Sequence, residues 1–233
     1  MADNPRQNVA FASNGGEAHG YLAVPDSGSG PGVIVIQEWW GLTQHVVDVA
    51  DRLAADGFVA LAPDLYGGTT THDAEEAGRL MQELPVEQAA RDLHGAVDYL
   101  LAHDAVTGER VGAVGFCMGG GFVLVLAAQA GTKIGAAVPY YAVFNTADDP
   151  DLSGITAPVL GHFGGDDDFA GPERARQIEQ AIIDQAGVDV QFNIHPGAGH
   201  AFFNDANAFG TYDADLAATT WDSTLAFLRA NLS

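Results

Sequence analysis

The sequence predicts a single α/β domain: a mostly parallel central sheet flanked by helices on both faces. Three observations lead there. Continuous apolar runs rich in β-branched residues, such as GVIVIQ (32–37) and FVALAP (58–63), are patterned like strands covered on both faces. Between such runs lie helical patterns of ten residues or more, long enough for the crossovers that parallel neighbours need. The length of 233 residues suffices for one such domain and falls short for two, so residues 1–233 are read as one unit.

Two short β-like runs open the chain, at 9–12 and 19–24, separated by the turn-rich SNGGE; SGSGPG (27–32) is a loop rather than a linker. After GVIVIQ, residues 43–56 place Val46, Val47, Ala50, Leu53 and Ala54 at helical spacing, with Thr43 as a possible N-cap and Gly57 as the stop. FVALAP is the next buried strand. Helical patterns at about 73–84 and 86–103 precede the strand VGAVGF (111–116), a helix through GFVLVLAAQA (121–130) and the strand IGAAVPYY (134–141). The cycle closes with APVLGHFG (157–164), a helix near 172–186, VDVQFNIH (188–195), a loop, and an amphipathic helix from about 213 to 231.

Composition narrows the function classes. With 47% hydrophobic and 17% charged residues the chain suits a packed globule. Its 31 acidic and 9 basic residues, with Lys133 the only lysine, give a net charge of −22. Such a surface repels phosphate backbones and anionic membranes, so neither nucleic acid nor a membrane is expected as partner. One cysteine cannot form an internal disulfide. No signal-like start and no run of about 18 apolar residues is visible, so a cytoplasmic location is the default expectation, and a monomer the default state.

That cysteine, Cys117, lies in VGAVGFCMGGG, straight after an apolar strand and before a helix. A strand that turns at once into a helix forces the intervening residue into strained geometry, and glycines two before and two after remove the Cβ clashes this brings. The side chain is pushed out at the carboxyl edge of the sheet, where α/β active sites lie, and a helix N-terminus favours the thiolate. With 29 glycines in 233 residues, G-x-C-x-G around a single cysteine has a chance of roughly 0.015, which favours a nucleophile over a small buried hydrophobe.

A nucleophile needs a base, and the base an acceptor that orients it. Of eight histidines, His162 and His195 fall in strand-like runs and His45, His94 and His103 in helical ones; His200 sits in the loop PGAGHAFFN after the last strand, the best place for a base. The triplet Asp166–Asp168 also follows a strand, and one of its members is the candidate acid; the alternative readings are a solvated loop or a cation site.

IQEWWGL, APDLYGG, GFCMGG, HFGGDDDF and GHAFF together, in this order along the chain, resemble the dienelactone hydrolases, a cysteine-nucleophile branch of the α/β-hydrolases, over residues 8–230. The resemblance implies an α/β-hydrolase fold, carboxylic ester hydrolysis without cofactor or metal, and Asp167 as the acid, with Asp166 in reserve. It also implies that Glu38 contacts the resting thiol. The mechanism implied is attack by Cys117 on an ester carbonyl, with the oxyanion held by the backbone N–H groups of Met118 and Trp39, and release of the acid by water activated at His200. A thiol of reference pKa near 8.5 leaves a tetrahedral intermediate far more readily than an alkoxide, so enol-lactones, aryl esters and thioesters are the expected substrates.

The carboxylate clamp of the family has no counterpart: its places fall on Ala74, Gly78 and Asn204, and Arg79 points off another helical face. Trp40, Tyr66, Phe202 and Phe203, with Trp39, could line an apolar substrate pocket or equally pack in the core. Two other readings are a ligand-binding protein that turns nothing over, and a redox thiol beside a metal site.

Overall fold

The computed structural model describes residues 6–13, 15–144 and 149–232. Eight strands form one sheet in the order β1-β2-β4-β3-β5-β6-β7-β8, where β1 is Val9–Ser13, β2 Gly16–Ala23, β3 Gly30–Ile36, β4 Val59–Pro63, β5 Val106–Phe116, β6 Ile134–Tyr140, β7 Val159–Gly164 and β8 Val190–His195. Strand β2 runs antiparallel to both its neighbours, β1 and β4, and every pairing from β4 to β8 is parallel. The predicted mostly parallel sheet is the one observed.

Continuous apolar runs became the central strands because both faces are covered. Val33 to Ile36 and Val59 to Ala62 are fully buried, between helices α1 (Gln44–Ala55), α2 (Ala74–Glu83), α3 (Val86–Ala102), α4 (Met118–Ala130), α5 (Pro172–Ala186) and α6 (Ala214–Leu232). Helix α4 is apolar all round and packs against β3, β5 and β6, as its GFVLVLAA core demands.

Two element boundaries differ from expectation. Strand β5 begins at Val106 because its first half, mostly exposed, carries no apolar run to mark it. Helix α4 begins at Met118 rather than 121, since the run of glycines is itself helical. Thr43 does occupy the N-cap of α1, with extended backbone, but its side chain makes no capping hydrogen bond. Among the described residues no helix is long and apolar enough to cross a membrane.

The parallel strands end at Ile36, Pro63, Phe116, Tyr140, Gly164 and His195, and the candidate site residues lie in the segments that follow them.

Candidate active site

Cys117 has φ 54° and ψ −118°, a region that L side chains rarely adopt and that costs on the order of 1–3 kcal/mol. Backbone hydrogen bonds hold it there: its N–H donates to Tyr140 O at 3.1 Å, and its carbonyl accepts from Gly121 N at 3.2 Å and Val143 N at 3.0 Å. The flanking glycines do what the turn requires. A Cβ on Gly115 would lie 2.3 Å from Gly119 O, and one on Gly119 would lie 2.3 Å from Ile36 O and 2.5 Å from Gln37 O. The bare backbone at Gly119 therefore lets the end of β3 close against the start of α4. Met118, the first residue of α4, and Trp39, two residues after Gln37, are the two residues whose backbone N–H groups are the candidate oxyanion donors.

His200 sits in the loop after β8, 5% exposed, with Nδ1 2.8 Å from Asp167 Oδ2. Asp167 follows β7. Its other oxygen accepts from the backbone of Phe169 at 2.7 Å and Ala170 at 2.8 Å, which fixes the carboxylate's orientation. Asp166 and Asp168 are exposed, and Asp167 is the member of the triplet that meets His200. Burial acts to raise the Asp167 carboxyl, but the hydrogen bonds from His200 and the loop backbone hold it below the usual carboxylate range. Burial likewise pulls the His200 imidazole down, and Asp167 with the neighbouring Cys117 sulfur outweighs it, lifting the ring to about 10. With Nδ1 committed to Asp167, Nε2 is the nitrogen left for the sulfur. The loop itself is braced: Thr211 Oγ1 donates to His200 O, Ala201 takes φ 59°, and Asp205 meets His45 Nδ1 of α1 at 2.8 Å.

Glu38 is buried, as its place after β3 suggested. Its hydrogen bonds differ from those implied by the resemblance: Tyr141 Oη donates to Oε1 at 3.2 Å and Asn204 Nδ2 donates to Oε2. Both donors are neutral. Tyr141 was not picked out from the sequence; it follows β6 with φ 36° and is fully buried, its hydroxyl pushed far up by burial, then by Glu38 and Cys117. A lone tyrosine after an apolar strand carries no signal of that role.

The proposed pocket aromatics divide. Tyr66 is half-buried with Oη 3.6 Å from Met118 Sδ, the residue after Cys117, and burial and then Cys117 raise its hydroxyl. Trp40 is buried at 5.0 Å, ring to ring, from Trp39. Phe202 and Phe203 are fully buried; Phe202 packs on Tyr141 and His195, and Phe203 on Phe116, Tyr140 and Trp221, the core packing that was the alternative for them. Phe169 and Phe209, which the sequence reading passed over, lie 5.0 and 5.7 Å from the His200 ring. Arg79 is on the exposed side of α2, paired with Glu76 and Glu83. Among the described residues no three His, Cys, Asp or Glu side chains are grouped to hold a metal ion.

The sequence profile of the dienelactone hydrolase family matches residues 18–232. "Protein usf" of Aquifex pyrophilus is 33% identical over 97% of this chain and 99% of its own length. An Aquifex aeolicus protein provisionally named carboxymethylenebutenolidase is 31% identical over 97% and 99%. The crystal structure of a protein from Klebsiella pneumoniae subsp. pneumoniae, provisionally named a dienelactone hydrolase, superposes with a TM-score of 0.84 at 29% identity, covering 95% of this chain and 96% of that one.

Proposed function

Because this chain belongs to the dienelactone hydrolase family and is a carboxylic ester hydrolase, we propose that it cleaves activated esters and lactones through a thioester on Cys117. The observation that carries this is the buried Asp167–His200 pair set against a cysteine on a strained, glycine-flanked turn. A ring lifted to about 10 stays protonated at neutral pH, so His200 holds a proton to give to the leaving oxygen.

In the first half-reaction the Cys117 sulfur bonds to the ester carbonyl carbon, and the negative oxygen is received by the N–H groups of Met118 and Trp39. Collapse breaks the carbon–oxygen bond, and the His200 proton goes to the leaving oxygen. Neutral His200 then takes a proton from water, which attacks the thioester and releases the acid and the thiolate. Asp167 keeps the His200 tautomer and stabilises its cation. Glu38, tied to Tyr141 and Asn204, serves as a fixed carboxylate beside the thiol. A phenoxide or enolate leaves in competition with sulfur, and an ordinary alkoxide does not, so aryl esters and enol-lactones are the substrates.

Steady-state hydrolysis of p-nitrophenyl acetate tests the reading. Wild type turns over, and Cys117→Ala and His200→Ala each lose about 10³-fold or more in kcat/KM. Retention of most activity by Cys117→Ala overturns it.

A further inference from the structure

Phe169 is 60% exposed, the most exposed large apolar side chain among the described residues, yet its ring lies 5.0 Å from a histidine that is itself buried. It is not free to swing away at the backbone: the Asp167 carboxylate that orients His200 also accepts the Phe169 N–H. Phe209 presents its ring at 85° to His200, 5.8 Å from Phe169, and stacks on Trp39 at 6.0 Å with 15° between the planes. Two aromatic rings thus border the His200 ring and a third, Trp39, extends them through Phe209, and core packing does not require the most exposed, Phe169.

Charge adds a second constraint. The buried carboxylate of Glu38 is bonded by two neutral donors, Tyr141 and Asn204, and Arg79 is held in ion pairs on the outer face of α2. On a chain of net charge −22, an anionic substrate approaches against the field of the whole surface and of this carboxylate.

Resting on the thioester mechanism above, we infer that Phe169, Phe209 and Trp39 form the subsite for the leaving alcohol, and that it takes a flat, uncharged phenol or enol. The assignment to the alcohol half follows from the proton's path: His200 delivers it to the leaving oxygen as the carbon–oxygen bond breaks, so the group attached to that oxygen lies against the rings that border His200. Flat apolar groups gain from offset or edge contacts with such rings.

The test holds the acyl group constant. Phenyl acetate, hexafluoroisopropyl acetate, whose aliphatic leaving group is of similar acidity, and 4-acetoxybenzenesulfonate, whose phenol is anionic, are compared with wild type, Phe169→Ala and Phe169→Arg, each kcat/KM being divided by the spontaneous hydrolysis rate. Wild type prefers the phenyl ester to each of the other two by about tenfold or more. Phe169→Ala lowers the phenyl-to-hexafluoroisopropyl ratio about fivefold. Phe169→Arg raises the sulfonate-to-phenyl ratio about tenfold. Ratios unmoved by either substitution, or a wild type that takes the sulfonate as readily as the phenyl ester, overturn the subsite while leaving thiol hydrolysis intact. A wild type that hydrolyses none of the three defeats the underlying mechanism as well.

Discussion

Adding one methyl group at Gly119 should damage both stability and catalysis, whereas the same change at Gly78 should stabilise. At Gly119 the new Cβ would meet Ile36 O at 2.3 Å and Gln37 O at 2.5 Å, and contacts under 3.0 Å are essentially never seen. Both atoms are backbone, so no rotamer relieves the clash, and the end of β3 must retreat from α4 by about 1 Å. Overpacking of this kind costs about 3 kcal/mol, offset by about 1 kcal/mol from replacing glycine in a helix, for a net loss of about 2 kcal/mol. In a domain of this size that lowers Tm by about 4–8 °C. The same retreat parts Trp39 from Met118, and a misplacement of about 1 Å can cost about 100-fold in kcat. At Gly78, inside α2, the nearest atom to a new Cβ is Trp39 Cζ3 at 3.9 Å, an ordinary contact. Gly78→Ala should therefore gain about 0.5–1 kcal/mol. Thermal unfolding and p-nitrophenyl acetate kinetics on the two variants decide it. A Gly119→Ala protein with the stability and kcat of Gly78→Ala would refute the claim that the β3–α4 approach builds the site.

Asn204→Leu removes one of the two donors to buried Glu38 and should cost about 1–3 kcal/mol in urea unfolding; a neutral effect would show that the carboxylate does not depend on this amide. His162, buried in β7, has its ring pushed down to about 3, first by burial and then by His195. Its folded form therefore binds fewer protons than the unfolded chain between about 3 and 6.5, so the stability it contributes is present above 6.5 and lost as pH falls through that window, up to about 5 kcal/mol. Replacement by Phe should flatten the acid limb of the stability profile. His200 has the opposite sign: its raised ring contributes stability below 6.5 that is lost as pH rises towards about 10, and His200→Gln should flatten the alkaline limb.

The turn at Cys117 was legible because its geometry has a local cause. A residue forced to positive φ between a strand and a helix needs bare neighbours two positions away, and Gly115 and Gly119 are written beside Cys117 in the chain. The buried parallel strands were legible for the same reason, since being covered on both faces imposes an unbroken apolar run. What escaped depends on partners distant in sequence. Glu38 and Asn204 are 166 residues apart, and nothing local in NDAN announces an amide for a buried carboxylate. Tyr141 reads as the last residue of an apolar strand, and Phe169 as a loop residue after three aspartates. For Phe202 and Phe203, two and three residues after the histidine, the sequence left pocket and core equally open; both turn inward, where the loop folds back on Phe116 and Tyr140.

The central claim is a covalent acyl group on one sulfur. Wild-type protein mixed with excess p-nitrophenyl acetate, quenched in acid within the first turnovers and analysed by intact mass and peptide mapping, should carry one acetyl group, on the peptide containing Cys117, and His200→Ala should accumulate it slowly or not at all. Turnover with an unmodified Cys117 under these conditions, or acetyl placed on another residue, would contradict the account.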